Sequence, residues 1–289
     1  MTGTPDLRPL IAAPHPDRAP LPPAAPAGPG VRLLRGVPYA ELPGVRPLEL
    51  DLWLPENAGA DPLPLLFFVH GGAWRRGRRE DMGYRTRGWT PGPFARIAAS
   101  GFAVASADYR LSGEAVFPAP LDDLRDALAW IARRSGELGI DTARTVVWGE
   151  SAGGHLAALL ALADDTPAVS GAVVWYAPSD LTLDGDNPHS PEALLLGGAP
   201  ATLAERAAQA SPLHRVHPGA PPFLLMHGES DTLVDCDHSR RLAARLTEVG
   251  APTRLRTVPG ADHVWHGLPE AEVEDVFRTS LEWALRRVR

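Results

Sequence analysis

A series of short apolar runs, each ending in a loop that carries glycine or a polar residue, sets the tightest constraint on this chain. PLLFFVH, from Pro64 to His70, has no polar residue before its terminal histidine. Such a run has no water-facing side and reads as a strand buried on both faces. TVVWG, AVVWYA and FLLMHG (223–228) repeat the pattern, GFAVASADYR holds a further strand, and RLRTV is a more polar last one. Helical segments fall between them: Phe94 to Ser100, Pro120 to Ser135 (with Leu121, Leu124, Leu128 and Ile131 at helical spacing), 152–163, about 236–248 and about 270–288. Upstream, VRLLRG and LELDLWLP look like antiparallel strands, the second alternating apolar and polar residues over Leu48 to Leu54. Strands that alternate with helices predict an α/β fold, with a mostly parallel central sheet and helices on both faces. One stretch breaks the rhythm. From Ser179 to about Pro218 there are two helical pieces, around Pro191–Leu196 and Ala201–Gln209, and no clear strand, as expected of a small cap inserted at about 179–218.

Composition narrows the function classes. The formal charge of −7 argues against nucleic acid as a partner, and no apolar run approaches the roughly 20 residues that a membrane span needs. All basic residues are arginine, so Schiff-base, pyridoxal-phosphate and P-loop lysine chemistries are excluded. Cys236 is the single cysteine, which rules out an internal disulfide framework and a thiolate zinc cluster. His214 and His217 lie three apart, with no acidic neighbour in sequence to complete a metal site, so no metal and no cofactor are expected. Residues 1–30 form a proline-rich arm that lacks the layout of a signal peptide. The expectation is a poorly ordered or wrapping arm, one domain over 31–289, and a cytoplasmic location. Nothing in the sequence sets an oligomeric state.

Four motifs follow four of the strands. GESAG, Gly149 to Gly153, puts one hydroxyl between two glycines at a strand-to-helix junction. Taken alone, Ser151 is a helix cap or a nucleophile. HGGAW, His70 to Trp74, has consecutive glycines that let backbone N–H groups approach a ligand oxygen, or that form an ordinary turn. HGESDTLV places Asp231 at the C-terminal end of a strand, where sites form in open α/β sheets. Glu229, Asp235 and Asp237 are rival carboxylates there, each able simply to cap the next helix. GADHVW puts His263 after RLRTV. The chain order Ser151, Asp231, His263 is that of α/β-hydrolase triads and differs from both protease orders. Four motifs after four separate strands make Ser151 a nucleophile rather than a cap.

With HGGAW, SADYRLS, GESAGGHLA, HGESDTLV and GADH, residues 31–288 resemble the esterase/lipase branch of the α/β-hydrolase superfamily, most closely its small-cap carboxylesterase and feruloyl-esterase-like members. The resemblance implies an α/β-hydrolase fold, a small-molecule ester substrate, and an oxyanion hole made by the backbone N–H groups of Gly72, Ala73 and Ala152. HGGAW also fits the H-G-G-x-W form of kynurenine formamidases, so aryl-formamide hydrolysis stays open, as does a tailoring enzyme that transfers or eliminates an acyl group. A ligand-binding protein on the same fold would have no need for both Ser151 and His263. Trp74 and Trp265 flank the motifs and are expected to wall a pocket; with a cap of only about forty residues, small acyl groups are favoured. Arg75, Arg76, Arg78 and Arg79 are either a solvated loop or a device that steers an anionic group.

Overall fold

The computed structural model describes residues 14–56, 59, 61–163, 169–183 and 185–289. The first thirteen residues of the arm and residue 184 of the insertion lie outside them. The described residues form a nine-stranded sheet: β1 (Ala25–Gly28), β2 (Val31–Ala40), β3 (Leu48–Pro55), β4 (Leu63–Val69), β5 (Ala103–Ala107), β6 (Ile140–Glu150), β7 (Gly171–Trp175), β8 (Phe223–Gly228) and β9 (Thr253–Val258). The spatial order is β1-β2-β3-β5-β4-β6-β7-β8-β9. β1 to β3 pair antiparallel with one another, and β3 pairs antiparallel with β5; every pair from β5 to β9 is parallel.

The apolar runs are explained by a core on each face. Along β4, Leu65, Phe67 and Val69 point into one core, and Leu66 and Phe68 into the other. Ala172 and Val174 against Val173 and Trp175 repeat this in β7, and Phe223 and Leu225 against Leu224 and Met226 repeat it in β8. The first core is covered by α2 (Ala119–Arg133), α4 (Ala152–Ala161) and α8 (Asp237–Glu248); α1 (Pro93–Ala99) and α9 (Glu270–Arg287) cover the second. The short α3 (Ser135–Leu138) follows α2.

The stretch after β7 holds 3-10 turns at Leu181–Leu183 and Pro200–Thr202, with α5 (Pro191–Leu196), α6 (Ala204–Gln209) and α7 (Pro212–Arg215). It packs through Ala207 and Ala210 onto the first core. The arm differs from a free tail where it is described. The Pro16 carbonyl accepts the Trp130 indole N–H and an Arg134 guanidinium N–H, and Arg133 pairs with Asp17 at 2.8 Å. The sheet therefore begins inside the proline-rich arm, with β1, and not at its end.

No helix among the described residues is long and apolar enough to cross a membrane.

Candidate active site

The topology brings four loops to one edge. From β4 the chain passes through α1 to β5 on one side, then returns through α2 to β6 on the other side of β4. At such a reversal the loops at the C-terminal ends of the two central strands diverge and leave a crevice. Val69 of β4 sits beside Gly149 of β6, so HGGAW and GESAG leave the sheet as neighbours. Gly228 of β8 sits beside Val258 of β9, which does the same for Asp231 and His263.

The elbow at Ser151 depends on its glycines. A Cβ on Gly149 would lie 2.2 Å from the Gly153 carbonyl oxygen, and one on Gly153 would lie 2.1 Å from that of Val69. Only hydrogen fits at either place. Ser151 itself adopts φ 51° and ψ −123°, a conformation costly for any residue with a side chain. Its hydroxyl makes no capping bond to α4. Instead the Oγ lies 3.0 Å from His263 Nε2.

His263 Nδ1 is 2.7 Å from Asp231 Oδ2. The carboxylate accepts only, so Nδ1 carries the proton, leaving the Nε2 lone pair to accept the Ser151 O–H. Asp231 has a fully buried side chain. Its Oδ1 accepts the N–H groups of Leu233 and Val234 at 2.9 and 2.8 Å, and Oδ2 also faces His227 Nε2 at 3.3 Å. Burial alone would raise its pKa; the bonds from His227, His263 and Val234 outweigh burial and hold Asp231 ionised well below the usual carboxylate range. The rival carboxylates are otherwise engaged. Glu229 accepts from Thr257, and Asp235 accepts the Asp237 N–H at the start of α8. Asp262 turns the loop by accepting the N–H groups of Thr232 and His263.

The HGGAW loop is a tight turn. Gly72 has φ 121°, and a Cβ there would lie 2.0 Å from the Arg76 carbonyl oxygen. Ala73 and Trp74 both occupy the left-handed region, at φ 56° and 55°. Such a loop persists only when its surroundings hold it. The Gly72 carbonyl accepts from Arg75 N and Arg76 N, and the Trp74 carbonyl from Ser112 N. The Trp74 indole donates to His155 Nδ1 at 3.3 Å. The N–H groups of Gly72, Ala73 and Ala152 donate no hydrogen bond among the described residues. Ala152 is the first residue of α4, where the helix dipole also favours negative charge.

Four supporting side chains escape a reading of sequence. Glu150, 6% exposed, accepts the Tyr176 hydroxyl and the Gly71 N–H; burial pushes its pKa above the ordinary carboxylate value. Tyr176 packs edge-on against the His263 ring, with centroids 4.9 Å apart. His227, fully buried, receives the Ser239 hydroxyl at Nδ1 and donates from Nε2 to the Val234 carbonyl. His155 joins the HGGAW loop to the insertion: its Nε2–H donates to the Ala210 carbonyl at 2.6 Å, and burial lowers its pKa to about 4. The polar residues of GESAGGHLA were the one available signal for Glu150 and His155.

Two tryptophan expectations need correction. Trp74 and Trp265 are 2% and 1% exposed and so present almost no open wall. Trp74 is spent on His155, and Trp265 packs at 5.4 and 4.8 Å from the rings of Trp175 and Tyr176. RRGRR divides in two. Arg79 is sunk in an ion-pair cluster with Glu49, Asp51 and Asp108, whereas Arg75, Arg76 and Arg78 are exposed. His214 pairs with Asp180, a partner distant in sequence, and no group of three His, Cys, Asp or Glu side chains among the described residues is placed to hold a metal ion.

The BD-FAE family model matches residues 50–246, a segment that contains HGGAW, GESAG and Asp231. The chain belongs to the BD-FAE family. Esterase LipQ of Mycobacterium tuberculosis is 31% identical over 247 residues, which make up 79% of this chain and 56% of LipQ. Esterase LipC of the same organism is 30% identical over 232 residues, 74% of this chain and 56% of LipC. The chain thus spans little more than half the length of these curated relatives. A truncated carbohydrate esterase from gut microbiota superposes with a TM-score of 0.76 at 22% identity, covering 93% of this chain and 99% of that one. At that identity the likeness establishes the α/β-hydrolase fold, in agreement with the sheet order.

Proposed function

We propose that this chain is a serine hydrolase that cleaves carboxylic esters of small or medium acyl groups. The observation that carries the reading is the line from the Ser151 hydroxyl through His263 to Asp231, at 3.0 and 2.7 Å, with three nearby-loop N–H groups that donate no hydrogen bond among the described residues. In this reading Ser151 Oγ attacks the acyl carbon while His263 Nε2 takes its proton. Asp231 keeps the imidazole in the required tautomer and stabilises the imidazolium that forms. The N–H groups of Gly72, Ala73 and Ala152 receive the developing oxyanion, where loss of one donor typically costs about 2.7–4 kcal/mol. The protonated imidazole then gives its proton to the leaving alcohol. Water, activated by the same nitrogen, releases the acid from the acyl-enzyme. The reading also draws on the likeness to LipQ and LipC, both named esterases.

The test is a serine-directed phosphonate with mass mapping of the adduct, alongside turnover of short p-nitrophenyl esters. A single adduct on Ser151, with a loss of at least ~10³-fold in Ser151→Ala, is expected. An adduct on another serine, or undiminished turnover in Ser151→Ala, would overturn the assignment.

A further inference from the structure

A groove of about 930 Å³ opens beside the HGGAW loop, between the β1–β2 hairpin, the 75–82 loop and the start of α1. Its apolar lining comes from the exposed Pro26, the half-buried Ala27 and Leu111, and the edges of the largely buried Leu33, Trp53, Met82 and Phe94. Its rim is cationic: five arginines, at positions 35, 75, 76, 78 and 87, face two carboxylates, Glu80 and Asp81. Local pairing does not cancel this excess. Asp81 is taken by Arg87, and Glu80 stands 3.7 Å from Arg78. Arg35 reaches Asp51 only at 4.0 Å, and Asp51 already holds Arg79 at 2.8 Å. Arg75 and Arg76 form no ion pair among the described residues. In a chain of net charge −7 this is a local reversal of sign.

The groove's 75–82 segment continues directly from the HGGAW loop. The N–H groups of Arg75 and Arg76 both donate to the carbonyl of Gly72, at 3.1 Å. Gly83, which follows the lining residue Met82 in sequence, is so close to Glu150 that a Cβ on it would lie 3.1 Å from Oε2. Glu150 directly precedes Ser151.

We propose that this groove receives a carboxylate-bearing apolar arm of the substrate, the hydrocarbon lying along Pro26, Ala27 and the edge of Trp53 and the carboxylate gripped by Arg75 and Arg76. The inference rests on the esterase reading and deepens it: the substrate is an ester that carries a second, anionic function remote from the scissile bond. Guanidinium groups match a carboxylate in shape as well as charge, and a charged hydrogen-bonded pair typically exceeds a neutral one in strength.

Binding is measured first on Ser151→Ala, so that turnover plays no part. Calorimetry with 6-phenylhexanoate and with its neutral amide should show the acid binding ~10-fold or more tightly at low salt. That preference should shrink as salt rises and vanish in a variant that adds Arg75→Gln and Arg76→Gln. Equal binding of acid and amide, no binding of either, or a preference that survives both arginine changes would overturn the proposal. With the native chain, p-nitrophenyl monoesters of dicarboxylic acids are then compared with neutral esters of equal length. A kcat/KM ratio above one that falls at least ~10-fold in the double variant supports the substrate class; a ratio at or below one refutes it. Absence of turnover with every ester would instead count against the esterase reading, leaving the calorimetric result to stand by itself.

Discussion

Replacement of Asp231 by asparagine removes a charge while keeping shape, and the structure fixes which way the new amide must face. Oδ1 accepts two backbone N–H groups, those of Leu233 and Val234. An amide turned the other way would set its NH2 against both donors and strand the half-buried N–H of Val234, at a cost of about 1–3 kcal/mol. The amide oxygen therefore keeps the Oδ1 position and the NH2 group faces His263 Nδ1. That nitrogen must then accept, so its proton moves to Nε2, where it points at Ser151 Oγ. A protonated Nε2 cannot take the serine proton. The expected loss in kcat is about 10⁴-fold, or roughly 5.4 kcal/mol of transition-state stabilisation, with KM little changed. Steady-state kinetics with p-nitrophenyl acetate measures it, with thermal melts to show that the variant is folded. Asp262→Asn is the control, since that carboxylate holds backbone and Thr232 but does not touch the imidazole; a loss under ~3-fold is expected there. A folded Asp231→Asn that loses less than ~10-fold, or an Asp262→Asn that loses more than Asp231→Asn, would refute this reasoning.

His155 stays neutral in the fold down to about pH 4, against 6.5 for the free side chain, so between those values the unfolded chain binds more protons and stability must fall as pH falls. The displacement corresponds to roughly 3 kcal/mol, and urea midpoints at pH 7 and 4.5 should diverge less in His155→Gln than in the native chain; equal divergence would contradict it. Arg79→Gln, which leaves Asp51, Asp108 and Glu49 without their shared cation, should destabilise by about 3–5 kcal/mol, while Arg76→Gln should not shift the melting temperature measurably. Gly153→Ala drives a methyl group into the Val69 carbonyl and should cost on the order of 3 kcal/mol along with most of the activity; a variant with unchanged melting and turnover would show that the elbow has room.

Strand positions were legible because β4, β7 and β8 are buried on both faces and so contain almost nothing polar. Ser151 and Asp231 stood out because each follows an apolar run within a distinctive motif, and His263 because GADHVW follows the more polar β9. What sequence hid is the second layer. His227 lies in an apolar run, and its partner Ser239 is on the next helix; Tyr176 directly follows β7 and meets Glu150 only because β6 and β7 are adjacent. The tryptophans misled for the opposite reason. Position beside a motif says nothing about direction, and Trp74 and Trp265 turn into cores. The arm was read from its prolines as poorly ordered or wrapping chain, and within it Ala25 to Gly28 pairs with the edge of β2.

The sheet order also has a kinetic consequence. The four loops that meet at Ser151 leave strands that end at Val69, Glu150, Gly228 and Val258, so the site draws on pairings spread across most of the chain. β4 gains its neighbours β5 and β6 only after a helix and a long loop have closed for each, and loop-closure entropy makes such non-local parallel pairing slow. Helices can form early and hydrophobic clusters can collapse while hydroxyl, imidazole and carboxylate are still far apart. In refolding from urea, ellipticity should therefore recover before ester turnover does.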